Sequence, residues 1–186
     1  NIENIKTKEF NQQDLSLADK WILTKKNNLI KSVTKSMNKY DFHNVGNELY
    51  TFIWNDFCDW YIELTKSNMT DTTKAVLLTT LTDILKLLHP FMPYVTEEIY
   101  SMLPIKDQAS IMISSYPEYD KTLVFKTESE QLESILTDIV SIRNLKASNK
   151  VTKDSLVNIK CSNELFNNIF ISQLKIAPEI ICIEPK

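Results

Sequence analysis

The chain has 186 residues, 43% of them hydrophobic and 24% charged, with a net charge of −3 and a pI near 5.5. That length holds one good core with room for a small appended subdomain, and the acidic balance excludes bulk charge as a source of attraction to nucleic acid, leaving only local basic clusters. A single glycine, Gly46, argues against phosphate-cradling loops, tight hairpins and barrels, and for helices joined by short polar turns.

Residues 1–14 are polar with weak periodicity and read as a linker or arm. A first helix is expected from near Ser16 to about Asn38, with Ala18, Ile22, Leu29, Ile30, Val33 and Met37 at the 3.6-residue period. Trp21 stands at the edge of that stripe, on a face that runs through Lys25, Asn28 and Ser32. An aromatic beside a lysine and an amide suits base stacking with a phosphate contact. Equally, an indole at a helix edge packs on its neighbour. Both readings stay open.

Residues 41–66 are predicted to form one long helix around which the rest is organised. Asn44, Glu48, Thr51, Asn55, Asp59, Glu63 and Lys66 make one narrow polar stripe, and nearly everything else is large and apolar. A helix apolar over most of its circumference is covered on several sides. This segment is therefore expected to be the most buried, with Trp54 and Phe57 among the least accessible side chains. Asp56 falls on the apolar side, so either a cation or several donors meet it, or the surface is less covered there.

Residues 67–71 form a turn with Thr70 or Asp71 as N-cap. The third helix runs to about Leu88, with Leu77, Leu81, Ile84, Leu85 and Leu88 inward, and stops at His89-Pro90. Pro93 suits the first position of a short fourth helix whose apolar side is Val95, Ile99, Met102 and Leu103. His89, Glu97 and Glu98 read as capping and helix-dipole groups, because no nucleophile or metal cluster accompanies them.

Residues 104–126 are loop-rich, with one candidate strand at 110–114. A fifth helix is expected from about Glu128 to Ala147, with Leu132, Ile135, Leu136, Ile139 and Ile142 inward. Arg143, Lys146 and Lys150 share one face near its end, where they either oppose the helix dipole or contact phosphate. Beyond it, 155–161 alternates like a strand, 163–174 is amphipathic and 179–185 reads as a second strand, which together suggest a small βαβ unit.

Cys58, Cys161 and Cys182 lie far apart in apolar surroundings, without metal-binding spacing, and read as reduced core residues of a cytosolic protein. No apolar run approaches a membrane span and no signal peptide is visible. The first residue is Asn1 rather than Met, which points to a segment of a longer polypeptide.

Four stretches carry a resemblance. WNDFCDWYIELTK (54–66) resembles the WNEFCDWYIE signature in the anticodon-binding domain of valyl-tRNA synthetases. LADKWILTKKN (17–27) resembles the LADRWILSRLN of that domain, HPFMPYVTEEIY (89–100) its HPFMPFITEEIW, and SIRNLKA (141–147) its IRNIRAE. The likeness covers the chain from about Leu17 to the C-terminus. It implies a mainly α fold: an antiparallel helix bundle of the class I synthetase anticodon-binding type over 15–150, with a small βαβ subdomain over 151–186.

The same resemblance implies that the segment positions a tRNA anticodon stem-loop while a catalytic domain, absent here with its HIGH and KMSKS motifs, joins valine to the acceptor end. ATP and magnesium belong to that absent domain, and no catalytic, cofactor or metal residue is expected in this chain. The implied partners are a valine tRNA and the catalytic and editing domains of the parent synthetase, in the cytoplasm, with no membrane or DNA role. Candidate RNA contacts are Lys20, Trp21, Lys25, Asn28, Arg143, Lys146 and Lys150. Lys20 and Lys146 stand where the family often has arginine, and Thr24-Lys25-Lys26 replaces Ser-Arg-Leu, which loses the bidentate fork. The isoleucine, leucine and methionine enzymes share this kind of domain and are the near alternatives. A helical protein-interaction module without RNA binding is the alternative from another class, and an independent small enzyme finds no supporting constellation.

Overall fold

The computed structural model describes residues 9–66, 68–148, 159–160 and 181–182, with no side-chain description for Lys146 and the last four. Its contacts divide the chain into two units, Asn1–Ser129 and Glu130–Lys186. The first unit thus ends near the start of the last helix.

Helix α1 (Leu17–Met37) starts where local chemistry sets it. Ser16 Oγ accepts from the Asp19 amide at 3.1 Å, and Asp19 Oδ2 accepts from the Ser16 amide at 3.0 Å. This reciprocal pair satisfies two amides that a helix start leaves without partners. Ile22, Leu29, Ile30 and Val33 are buried as their spacing predicts, together with Leu23.

The central segment is helical throughout, but not uniformly wound. It comprises α2 (Phe42–Thr51), a π-helical stretch (Phe52–Tyr61) and α3 (Ile62–Thr65), and Asp41 caps its start through the Asn44 amide. The Ile62 amide donates to Phe57 O, five residues back. Its buried residues are Val45, Leu49, Phe52, Phe57, Tyr61 and Thr65, so the inward stripe steps by five between Phe52 and Phe57. In an α-helix those two would lie about 140° apart. The wider π turn brings them toward one face.

This winding corrects two expectations. Trp54 and Phe57, three apart, would share a face in an α-helix, whereas Phe57 is buried and Trp54 is 53% exposed. Nor is the segment the most buried one. Tyr50 and Phe42 are also exposed, and α1 and α4 (Asp71–Leu88) carry more continuous burial.

Polar ties fix the helix directions. Tyr61, late in the central segment, meets Asp19 at the start of α1, and Asn44 near its beginning meets Ser36 near the end of α1. The two therefore run antiparallel. Thr73 bonds Asp19, and Lys26 pairs with Asp83 at 2.7 Å, so α4 lies alongside α1 in the same direction.

Thr70 caps α4, which ends at Leu88 before His89-Pro90, and α5 (Pro93–Ser101) carries its proline in the first turn, all as expected. Facing is another matter. Ile84 and Leu85 are buried as expected and Leu81 packs partly buried against the core, but Val76, Leu78 and Leu87 are fully buried where Leu77 and Leu88 were expected inward. On α5 the buried residues are Thr96 and Tyr100, followed by Leu103, while Val95, Ile99 and Met102 are exposed. Tyr100 and Leu103 pack with Leu78, Leu85 and Ile111, a partnership that spacing within α5 does not reveal.

The candidate strand at 110–114 is a 3₁₀ turn, Ile111–Ile113. Ser110 caps it through the Met112 amide, and Glu97 Oε2 accepts from Ser110 Oγ and the Ile111 amide. Farther on, the loop is held by buried polar groups of α1. Asn27 Oδ1 accepts from the Asp120 amide at 2.9 Å and Thr24 Oγ1 from the Phe125 amide at 2.9 Å.

Helix α6 (Lys126–Ser148) buries Leu132, Ile135, Leu136 and Ile139 as expected. Strands β1 (Ile159–Lys160) and β2 (Ile181–Cys182) pair in parallel, Ile159 with Ile181. The helix expected over 163–174 lies outside the described residues. Among the described residues no helix is long and apolar enough to cross a membrane.

Candidate nucleic-acid interface

Between α1 and the central segment lies a groove of 330 Å³, lined by Lys25, Asn28, Leu29, Ser32, Asn47, Glu48, Thr51, Phe52 and Asp56. It opens where α2 gives way to the π stretch.

Several polar groups of this groove have defined partners. Glu48 Oε1 accepts from Ser32 Oγ and from Asn44 Nδ2, both at 2.7 Å. Its other oxygen, Oε2, is buried and meets no donor among the described residues. Lys25 Nζ lies 3.8 Å from Asp56 Oδ1 and 5.8 Å from the Trp21 ring centroid. Asp56 is thus met by a cation, one of the two outcomes that its position in the sequence allows.

Of the residues expected to contact RNA, Lys25 and Asn28 share this groove, with Asn28 exposed and Lys25 partly so. Trp21 does not present a stacking face. It is 1% exposed, and its indole nitrogen meets no acceptor among the described residues. Packing between α1 and its neighbours closes over the edge of the stripe, which overturns the stacking reading of Trp21. Lys20 turns away to Glu128, at 3.0 Å, and lies 5.6 Å from the centre of the Phe125 ring. Arg143 is exposed on α6 and Lys146 lies in the same helix, while Lys150 is outside the described residues.

Beside the groove two aromatics are exposed, Tyr50 and Trp54, at 65% and 53%, with ring centroids 6.2 Å apart. They stand one helical step from Asn47 and Thr51 of the groove wall. Sequence reasoning missed them because it counted every aromatic of the segment as core. Two amphipathic rings four apart, beside a polar stripe, were the available signal.

His89 and Glu97 hold local structure. His89 Nδ1 lies 2.7 Å from Thr96 Oγ1, and Glu97 holds the loop as described above. The Cys58 thiol is half-buried, and burial followed by the Asp59 charge pushes its pKa up, away from nucleophilic use. Among the described residues no cluster of three or more His, Cys, Asp or Glu side chains could hold a metal ion.

The profile of the family described as "Anticodon-binding domain of tRNA ligase" matches residues 19–161. A valine–tRNA ligase of Listeria innocua is 38% identical over 179 residues, covering 91% of this chain and 20% of that protein. One from Staphylococcus aureus is 44% identical over 137 residues, covering 70% of this chain and 16% of its own length. The chain therefore spans a fifth or less of the length of these relatives.

Proposed function

The chain belongs to the family of anticodon-binding domains of tRNA ligases, and from that premise we propose that it binds the anticodon stem-loop of a valine-accepting tRNA. It holds that tRNA for aminoacylation by a catalytic body outside these residues. Identity with two valine–tRNA ligases supports valine as the amino acid. The single observation that carries RNA binding is the exposed Tyr50–Trp54 pair beside a groove holding Lys25 and Asn28. Unpaired loop bases are bound by stacking on aromatics with hydrogen bonds to their edges, which this face offers.

In this reading Lys25 and Asn28 approach the loop, and Arg143, Lys146 and Lys150 are separate candidates for phosphate contact by their charge. ATP and magnesium act on the catalytic body, editing belongs to a further domain of the parent enzyme, and the compartment is the cytoplasm, where tRNA is charged. The parallel pairing of Ile159 with Ile181 fits the expected crossover between two strands, since parallel strands need one.

The test is equilibrium binding of the purified chain to valine tRNA and to the same tRNA with its anticodon loop replaced. Preference for the native loop is expected, with no valine-dependent pyrophosphate exchange. Equal affinity for the two RNAs overturns the proposal.

A further inference from the structure

We propose that His89 Nε2 and Met112 Sδ form a binding site for a soft monovalent metal ion, copper(I) or silver(I), where the end of α4 meets α5 and the Ile111–Ile113 turn. The site is separate from the groove between α1 and the central segment and does not depend on RNA binding.

The proton count on the imidazole carries the inference. His89 Nδ1 lies 2.7 Å from Thr96 Oγ1. That hydroxyl has one hydrogen, which goes to carbonyls at the start of α5, Met92 O at 2.8 Å and Pro93 O at 3.2 Å. Toward His89, Thr96 Oγ1 therefore accepts, and the ring proton sits on Nδ1. In the neutral ring the other nitrogen is then a bare lone pair. It faces Met112 Sδ at 2.9 Å, and a thioether sulfur has no hydrogen to give. Two lone-pair atoms this close repel each other, and a cation shared between them turns the repulsion into two bonds.

The donor set decides which cation. Thioether sulfur is a soft ligand that selects copper(I), and imidazole suits copper as well, whereas magnesium and calcium take oxygen ligands. Glu97, the carboxylate held against this turn, is committed elsewhere, its Oε2 accepting from Ser110 Oγ and the Ile111 amide. Soft monovalent ions accept a near-linear pair of ligands, so one nitrogen and one sulfur suffice. The ring is also set as metal-binding histidines are, with its far N–H held by an oxygen that fixes the tautomer. His89 itself is anchored at the end of α4, its amide donating to Leu85 O at 2.9 Å. Met112 comes from the 3₁₀ turn, is 71% exposed, and has an unbranched side chain that gives way as an ion enters.

The experiment titrates silver(I) nitrate, in chloride-free buffer at neutral pH, into the full chain labelled with ¹³C in methionine methyls and ¹⁵N in histidine rings. Before metal is added, His89 should appear as the Nδ1–H tautomer. On titration the His89 Nε2 and Met112 methyl signals should shift together and saturate. The methyl of Met102, as exposed as Met112, should not follow them. Met112→Leu changes an exposed side chain and should abolish the His89 response. Thr96→Val removes the acceptor that fixes the tautomer and should weaken binding roughly ten- to a hundredfold, while Thr96→Ser, which keeps the hydroxyl, should restore it. Melting curves check the fold of each variant. A metal-free spectrum with a proton on Nε2, in the neutral or the charged ring, overturns the proposal, because the contact is then an N–H···S hydrogen bond. Silver taken up by thiols with His89 and Met112 unmoved overturns it too, as does a folded Met112→Leu variant in which His89 responds unchanged.

Discussion

Tyr61 Oη donates to Asp19 Oδ1 at 2.7 Å, both residues fully buried, and so joins the late turn of the central segment to the first turn of α1. The other Asp19 oxygen accepts from Ser16 Oγ at 2.7 Å and from Thr73 Oγ1 at 3.0 Å, which brings α4 into the same knot. Burial first, then the Asp19 charge, pushes the Tyr61 pKa up, so the hydroxyl remains a donor. Tyr61→Phe keeps the ring and removes one donor from a buried carboxyl. The expected loss is about 1.5–3 kcal/mol, read as a lower urea midpoint with an unchanged slope. An unchanged midpoint would show the knot to be dispensable.

Lys26 and Asp83 pair at 2.7 Å with the lysine side chain only 4% exposed. Asp83→Ala strands a buried cation, and the expected cost is about 3–5 kcal/mol. Replacing both partners with apolar residues, Lys26→Met with Asp83→Leu, should recover most of it. If the single variant loses no more than a surface pair does, about 1 kcal/mol or less, the burial of this pair is not what matters.

Gly46 sits in the middle of α2, and an added Cβ there meets nothing within 4 Å. Gly46→Ala narrows the unfolded chain's freedom at no steric cost, so it should stabilise the protein by about 0.5–1 kcal/mol. Chemical denaturation measures this directly, and a destabilised variant would mean that the helix needs glycine for some further reason.

Trp21 and Trp54 are expected to exchange the roles that spacing suggests. Trp21→Ala removes a buried ring and should cost about 3–5 kcal/mol of stability, as should Phe57→Ala. Trp54→Ala should change stability by about 0.5 kcal/mol or less, yet weaken tRNA binding by about 1–3 kcal/mol. Paired melting and binding curves decide it: a destabilised Trp54→Ala with intact binding would reverse the assignment.

The Glu128 carboxyl is held below its ordinary range, chiefly by the hydrogen bond from Lys20. A carboxylate whose folded pKa is depressed contributes stability above its unfolded pKa and loses it as the pH falls through the folded value. In Lys20→Ala, Glu128 should titrate at higher pH and its share of acid-side destabilisation should vanish. Carboxyl titration by NMR checks the direction, and an unmoved Glu128 would place the cause elsewhere.

The sequence alone determined where the helices of the first unit begin and stop. Ser16 with Asp19, Thr70, His89-Pro90 and Pro93 act within a turn of themselves, so their effect needs no partner from afar. It also carried the family, in residues 54–66 and 89–100. What each helix turns toward its neighbours was decided only in three dimensions. One residue of phase rotates an α-helix face by about 100°, so the five-residue step between Phe52 and Phe57 was enough to put Trp54 in water and carry Phe57 and Tyr61 inside. On α5, Tyr100 rather than Ile99 is inside because Leu78, Leu85 and Ile111 lie on that side. The groove has the same origin. Glu48 and Ser32 are sixteen residues apart and ordinary surface types by composition, and they become a site because the antiparallel packing of two helices sets one against the other.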